Sequence, residues 1–377
     1  MSSLFAIRVV FAVTSVLAGA LTACSSSSSG ADASAGAGGS SAGGAGVAGT
    51  SSTGPGGAGA GAAGGATGTG GTSATGGSTS GSNVIAMALF HPRDLQIYGT
   101  DVYWTTQGAG INKIPLTGGT PKQIITDSAP ASLAVDATGI YYVGSAGIMH
   151  AGLDGSSPTM LAAIDEFSGK RLGLVGTQLY FAGKASGMLG ILTVATSGGT
   201  PTAVYPALGV NGLDVADATG GLVWELLDAA TTSTVLMHAG LDGSNPTTLA
   251  SLPITSSQYF KGVSSDGTTI YYGVRDQKVS PAQSHLFSVS AAGGTPTETF
   301  GFMGKLTDCV SDANGTYFAD DFTATAGVYQ AGSDGKSSTL ITMATEGNAR
   351  FLHLDATHLV WMTGDDSGQS RLHVAAR

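Results

Sequence analysis

Residues 136–142, Asp136-Ala137-Thr138-Gly139-Ile140-Tyr141-Tyr142, run a tight turn into an apolar strand that carries an aromatic pair. The turn chemistry is local: an Asp side chain accepts from backbone N–H groups just ahead of it, and Gly takes positive φ without steric cost. The same join returns at Asp266-Gly267-Thr268-Thr269 before Tyr271-Tyr272, at Asp312-Ala313-Asn314-Gly315 before Tyr317-Phe318, and at Asp355-Ala356-Thr357-His358 before Val360-Trp361. Looser copies place pairs at Tyr103-Trp104, Tyr180-Phe181 and Val223-Trp224. The second members of the seven pairs are 38, 39, 43, 48, 46 and 43 residues apart.

That period is the length of a four-stranded β-propeller blade and exceeds that of leucine-rich, ankyrin or tetratricopeptide repeats. A second turn follows each of the first six pairs: Gly118-Gly119, Asp154-Gly155, Gly198-Gly199, Asp242-Gly243, Gly293-Gly294 and Asp334-Gly335. After Trp361 the seventh copy reaches a third strand, Arg371-Leu372-His373-Val374, and has no such turn and no fourth strand. Asn83-Val84-Ile85-Ala86-Met87-Ala88-Leu89, ahead of the first copy, resembles the apolar segment that ends the others. Pairing residues 83–89 with the C-terminal strand closes the ring and removes sheet edges that invite aggregation. The expected fold is therefore all-β: a seven-bladed β-propeller of four-stranded antiparallel blades, about 42 residues each, with an N-terminal strand closing the last blade. A six-bladed ring with a stray segment is the other reading.

Outward from the repeats the composition changes. Of 377 residues 60 are Gly, and only 11% are charged. Much of that imbalance lies between Ser25 and about Ser82, which is almost wholly Gly, Ala, Ser and Thr. Such a stretch cannot bury enough apolar surface to order itself, so it reads as a disordered linker with a reach of about 40 Å. Before it, Arg8 and the apolar run Val9 to Leu21 read as a signal peptide over residues 1–23, the run being too short to span a bilayer. The expected divisions are 1–23 signal peptide, 24–82 lipidated cysteine and linker, and 83–377 propeller. A net charge of -10 with 15 basic residues argues against a nucleic-acid partner. Two cysteines make no disulfide framework.

Two resemblances add to this reading. Leu21-Thr22-Ala23-Cys24 resembles the lipobox of bacterial lipoproteins, which implies cleavage before Cys24 and acylation of its thiol. Ser25 after it implies sorting to the outer membrane of a two-membrane cell, so the protein is expected to be exported and lipid-anchored in the cell envelope. Tyr103-Trp104-Thr105-Thr106 and its counterparts resemble the YWTD, NHL and TolB-like propeller repeats, over about residues 83–377. Receptor YWTD propellers have six blades and disulfide-linked neighbours, from which this chain departs. The resemblance implies a scaffold for ligands or partners and, less often, a lyase or hydrolase.

In a propeller the loop leading into each innermost strand opens on the face that most often binds ligands. Those loops carry Arg93, Lys170, Arg171, Lys261, Lys305 and Arg350. Convergence of Arg93, Arg171, Lys261, Lys305 and Arg350 makes a cationic funnel on an acidic body, suited to an acidic glycan, peptide or envelope protein. The competing reading pairs them locally with Asp94, Asp165, Glu166, Asp308 and Glu346, as most surface charges are. Gly-x-Ser-x-Gly, His-Glu-x-x-His, Walker and EF-hand patterns do not occur, so no catalytic residue, metal site or cofactor is assigned. Cys309, flanked by apolar residues, reads as a small buried hydrophobe. The expected function is a non-catalytic binding propeller. The alternatives are a lyase or hydrolase with His91 or His353 as base, and a periplasmic assembly subunit acting through the blade rims.

Overall fold

Consecutive residues of a β-strand point to opposite faces of the sheet, and this fixes how each aromatic pair is used. In the computed structural model the first member packs toward the following blade and the second toward the preceding one. Tyr103 joins Leu133 and Tyr142 of blade 2, whereas Trp104 joins Ile85, Val360 and Leu372 of blade 7. Tyr317 of blade 6 meets Trp361 across the boundary with blade 7, while Phe318 meets Leu286 and Phe300 of blade 5. Trp104, Trp224 and Trp361 are fully buried, so seven interfaces of this kind share one core pattern.

The structure describes residues 82–377 apart from 208–209, 218–220, 229, 279–281, 322–325, 345–347 and 365–369. The signal peptide, Cys24 and the linker lie outside the described residues. Among the described residues every regular element is a strand, and none is a helix long and apolar enough to cross a membrane.

Seven antiparallel blades form in sequence order. Blade 1 runs Pro92–Tyr98, Asp101–Thr106, Gly110–Pro115 and Lys122–Thr126. The innermost strands of the others begin at Leu133, Glu166, Val210, Gln258, Leu306 and Arg350. Blade 7 is closed by Asn83–Leu89, which pairs antiparallel with Ser370–Ala376 through Asn83↔Val374, Val84↔His373 and Ala86↔Leu372. The seven-bladed ring with its N-terminal closing strand is thus the observed fold, and the six-bladed reading falls.

The Asp turns are built as their chemistry requires: Thr138, Thr268, Asn314 and Thr357 each donate a backbone N–H to the Asp two residues earlier, at 2.7–2.9 Å. At the second turn Gly155 has φ +83° and lies so close to blade 1 that a Cβ would stand 2.0 Å from Ile124 O, which only glycine permits.

Candidate functional site

The innermost strands do not enter the channel as regular ladders. In blades 1, 4, 5, 6 and 7 the pairing with the second strand slips near the start, leaving extra residues at Arg93, Asn211, Gly262, Thr307 and around Phe351. Such bulges bend the strand and re-aim its side chains. Blade 3 goes further: its innermost strand is split into Glu166–Phe167 and Gly173–Val175, both paired with Gln178–Ala185. The detour between them carries Lys170 and Arg171. It is held from both sides, since Leu172 N donates to Ser132 Oγ of blade 2 at 2.9 Å and Arg171 N donates to Leu213 O of blade 4 at 3.2 Å.

These irregularities bring Arg93, Lys170, Arg171, Lys261 and Arg350 around one axial cavity of about 310 Å³, together with Asp94, Asp308, Phe260 and Phe351. Four of the five expected ligand residues therefore meet there. Lys305 does not line it. Its backbone N donates to Asp320 Oδ1 at 2.7 Å and its carbonyl accepts from Asp321 N at 2.9 Å, and its side chain is left exposed. A second axial cavity of about 460 Å³ lies further along the innermost strands, lined by Gln96, Ser264, Ser311 and His353 among others. Arg171 and Val263 line both cavities, so Arg171 stands at the waist between them. His91 lines neither; it is exposed at φ +39°.

Local pairing accounts for only part of this charge. Lys170 forms an ion pair with Glu225 of blade 4, a partner outside its own loop. Arg93 bonds Gln107 through Nε at 2.9 Å, and Arg350 stacks over Phe351 at 5.2 Å. Phe351 has φ +55°, a left-handed conformation that is strained for an aromatic residue. The Arg171 guanidinium has no hydrogen bond or ion pair among the described residues. It acts at a distance, drawing on Asp94 and Asp308 and opposing a charge on His353.

Asp94 and Asp308 each tie two blades together, and Asp308 also attracts Lys170 and Lys261. Asp94 accepts from Leu95 N, Ser132 Oγ and Leu133 N at 2.9, 2.5 and 3.1 Å. Asp308 accepts from Cys309 N and from Leu352 N of blade 7, both at 2.9 Å. Burial raises both carboxyls above the usual range, against the pull of Arg171 and these hydrogen bonds. Burial, followed by the charges of Arg275 and Lys170, lowers the Lys261 ammonium below an ordinary lysine. Like-charge crowding of this kind is relieved when an anion enters. With five cations against two carboxylates on its wall, the cavity carries excess positive charge in a chain whose net charge is -10.

His353 is pushed down to about 3, first by burial and then by Arg171. It is neutral at pH 7 and a weak proton acceptor. Cys309 is buried as expected, with Sγ 3.3 Å from Lys261 O. Among the described residues no three metal-ligating side chains cluster. Sequence reasoning missed the split strand, the Glu225 partner and the aromatic walls. The one signal for the split was the absence of alternation across Ser168-Gly169-Lys170-Arg171.

The fold and this cavity define a seven-bladed propeller with a cationic axial mouth. The sequence matches no protein-family model, and comparison with curated proteins gave no match. Among solved structures it is similar to an oligogalacturonate lyase from Vibrio parahaemolyticus, with 10% identity over 78% of this chain and 91% of that one and a TM-score of 0.57. It is also similar to prolyl endopeptidases, with 14% identity over 77% of this chain, 47% of theirs and a TM-score of 0.54. A nidogen/laminin complex aligns at 18% identity over 73% and 96% of the chains, with a TM-score of 0.45. The likenesses to the lyase and the endopeptidases show the propeller fold and nothing finer.

Proposed function

We propose that this protein is a non-catalytic binding propeller of the bacterial cell envelope, tethered to the outer membrane through lipidated Cys24, with Ser25 after it favouring that sorting. It takes an anionic ligand, an acidic glycan, peptide or envelope protein, through its axial face. The observation that carries this reading is the meeting of Arg93, Lys170, Arg171, Lys261 and Arg350 around one cavity. Arginine forks suit carboxylates, and attraction between exposed charges weakens with salt.

The test is binding of the full chain to oligogalacturonate, a glutamate-only peptide and a neutral glucan, beside the variant Arg93→Ala/Arg171→Ala/Lys261→Ala/Arg350→Ala. Selective binding of an acidic probe that weakens with salt and is lost in the variant supports the reading. Equal binding by both proteins contradicts it. For the tether, Cys24→Ala should release the protein from the membrane fraction; membrane retention of that variant removes the lipid anchor from the account.

A lyase or hydrolase is the second reading, favoured by His353 and Arg171 sharing the larger cavity. A base needs a pKa near the working pH, which a histidine held at about 3 does not offer. Turnover of a probe that disappears in His353→Ala would revive it.

A further inference from the structure

Among the described residues ten large apolar side chains are exposed, and topology gathers six of them on the face that bears the cationic mouth: Phe90, Leu227, Ile254, Tyr259, Met303 and Met343. Phe90 follows the closing strand, whose Leu89 pairs with Ser370. Leu227 pairs with Thr234 at the same end of blade 4 where Ile254 N donates to Thr232 O at 2.9 Å. Tyr259 opposes Arg275 at the start of blade 5's innermost strand, and Met303 opposes Gln283 where its fourth strand ends. Met343 opposes Gly327 at the corresponding end of blade 6. The innermost strands also begin at this end, beside Arg93, Lys261 and Arg350. Met303 is 66% exposed and Ile254 51%, so these side chains stand clear of the core.

We infer that the axial face docks a polypeptide segment that places an acidic side chain in the cationic mouth and rests apolar side chains on the rim of blades 4 to 7. This rests on the proposed axial binding and names its partner. Four of the six rim residues are aliphatic, which serves side-chain burial better than the flat aromatic platforms that stack on sugar rings. A flat anionic bilayer fits less well. Arg171 lies at the waist of the channel and Lys261 and Arg350 are half-buried, whereas Asp228 and Asp276 stand at the same ends of blades 4 and 5, where they would face the headgroups. An acidic side chain on a peptide reaches the recess while its apolar neighbours meet the rim, and hot-spot residues of this kind dominate peptide affinity.

The test titrates the full chain with a labelled peptide alternating glutamate and leucine, a glutamate-only peptide of equal charge, oligogalacturonate, and anionic phospholipid vesicles. The alternating peptide should bind at least about tenfold more tightly than the glutamate-only one. Ile254→Ser/Met303→Ser, both exposed positions, should abolish that preference and leave glutamate-only binding unchanged; Arg171→Ala should weaken both peptides. Equal affinity for the two peptides, tighter binding of vesicles or oligogalacturonate than of either peptide, or an unchanged preference in the rim variant overturns the inference. Oligogalacturonate binding without any peptide binding overturns it while leaving the axial reading intact, whereas loss of all anion binding removes both.

Discussion

The Asp94 carboxylate of blade 1 accepts a hydrogen bond from Ser132 Oγ of blade 2 at 2.5 Å. Ser132 Oγ in turn accepts from Leu172 N of blade 3, so one buried aspartate fixes three consecutive innermost strands and, with them, the detour that presents Arg171. Asp94→Ala leaves Ser132 Oγ and Leu133 N without this acceptor, and stability should fall by about 1–3 kcal/mol for each buried group left unsatisfied. Urea unfolding checks this. A double-mutant cycle with Ser132→Ala should show coupling between the two sites, because each single change already breaks the bond they share.

His353 gives the fold an acid sensitivity whose sign is fixed. Its folded pKa is about 3, below the ordinary value of 6.5, so the unfolded chain binds the proton first. Stability from this group is therefore present above about pH 6.5 and is lost as pH falls toward 3. His353→Gln should lose less melting temperature than the parent between neutral pH and mildly acidic pH. Parallel Tm profiles for the two proteins would contradict the assignment.

Asp94 and Asp308 have the opposite dependence. Their folded pKa is raised, so the native state holds their protons to higher pH, and they favour folding more as pH falls through the raised value. Asp308→Asn, which cannot ionise, should flatten the rise of stability on acidification through that window, read as the change in urea midpoint with pH.

Binding of an anion should be coupled to protons through Lys261. Its ammonium is lowered by burial and by Arg275 and Lys170, so a bound anion should restore the charge and draw a proton from solvent in alkaline buffer. Affinity for an acidic probe should drop at lower pH than an ordinary lysine would dictate. Lys261→Arg should delay that drop, and calorimetry in buffers of different ionisation enthalpy measures the proton directly.

Ring closure depends on Ile85, which is buried with Trp104, Val360 and Leu372. Ile85→Asp puts a carboxylate into that interface without a partner and should cost several kcal/mol, detaching the closing strand. Limited proteolysis should then cut near residue 90 well before the parent is cut there.

The fold was legible because its signals are local and repeated. The Asp turns, the paired aromatics and the orphan strand at residues 83–89 each state a requirement that one backbone geometry meets, and the Asn83↔Val374 pairing meets the last of them. The site was legible in part. Position in the repeat identified Arg93, Arg171, Lys261 and Arg350, since the repeat places those loops on one face. It could not separate Lys305, whose direction is set by hydrogen bonds to Asp320 and Asp321 on its own blade. Nor could it find the Lys170–Glu225 pair, which spans 55 residues and depends on the split strand of blade 3. Bulges leave no consistent residue signature here: the extra position is Arg, Asn, Gly or Thr in different blades.

An anionic ligand in the axial mouth should shield the cations that line it. Chemical footprinting of lysines and arginines in the full chain, read by mass spectrometry with and without the tightest-binding acidic probe, tests it most directly. Arg93, Lys170, Arg171, Lys261 and Arg350 should be protected, with Lys122 and Lys336 at the far ends of their blades labelled as before. Saturation that leaves the five axial residues equally reactive, or that protects Lys122 or Lys336 instead, would contradict binding at the axial mouth.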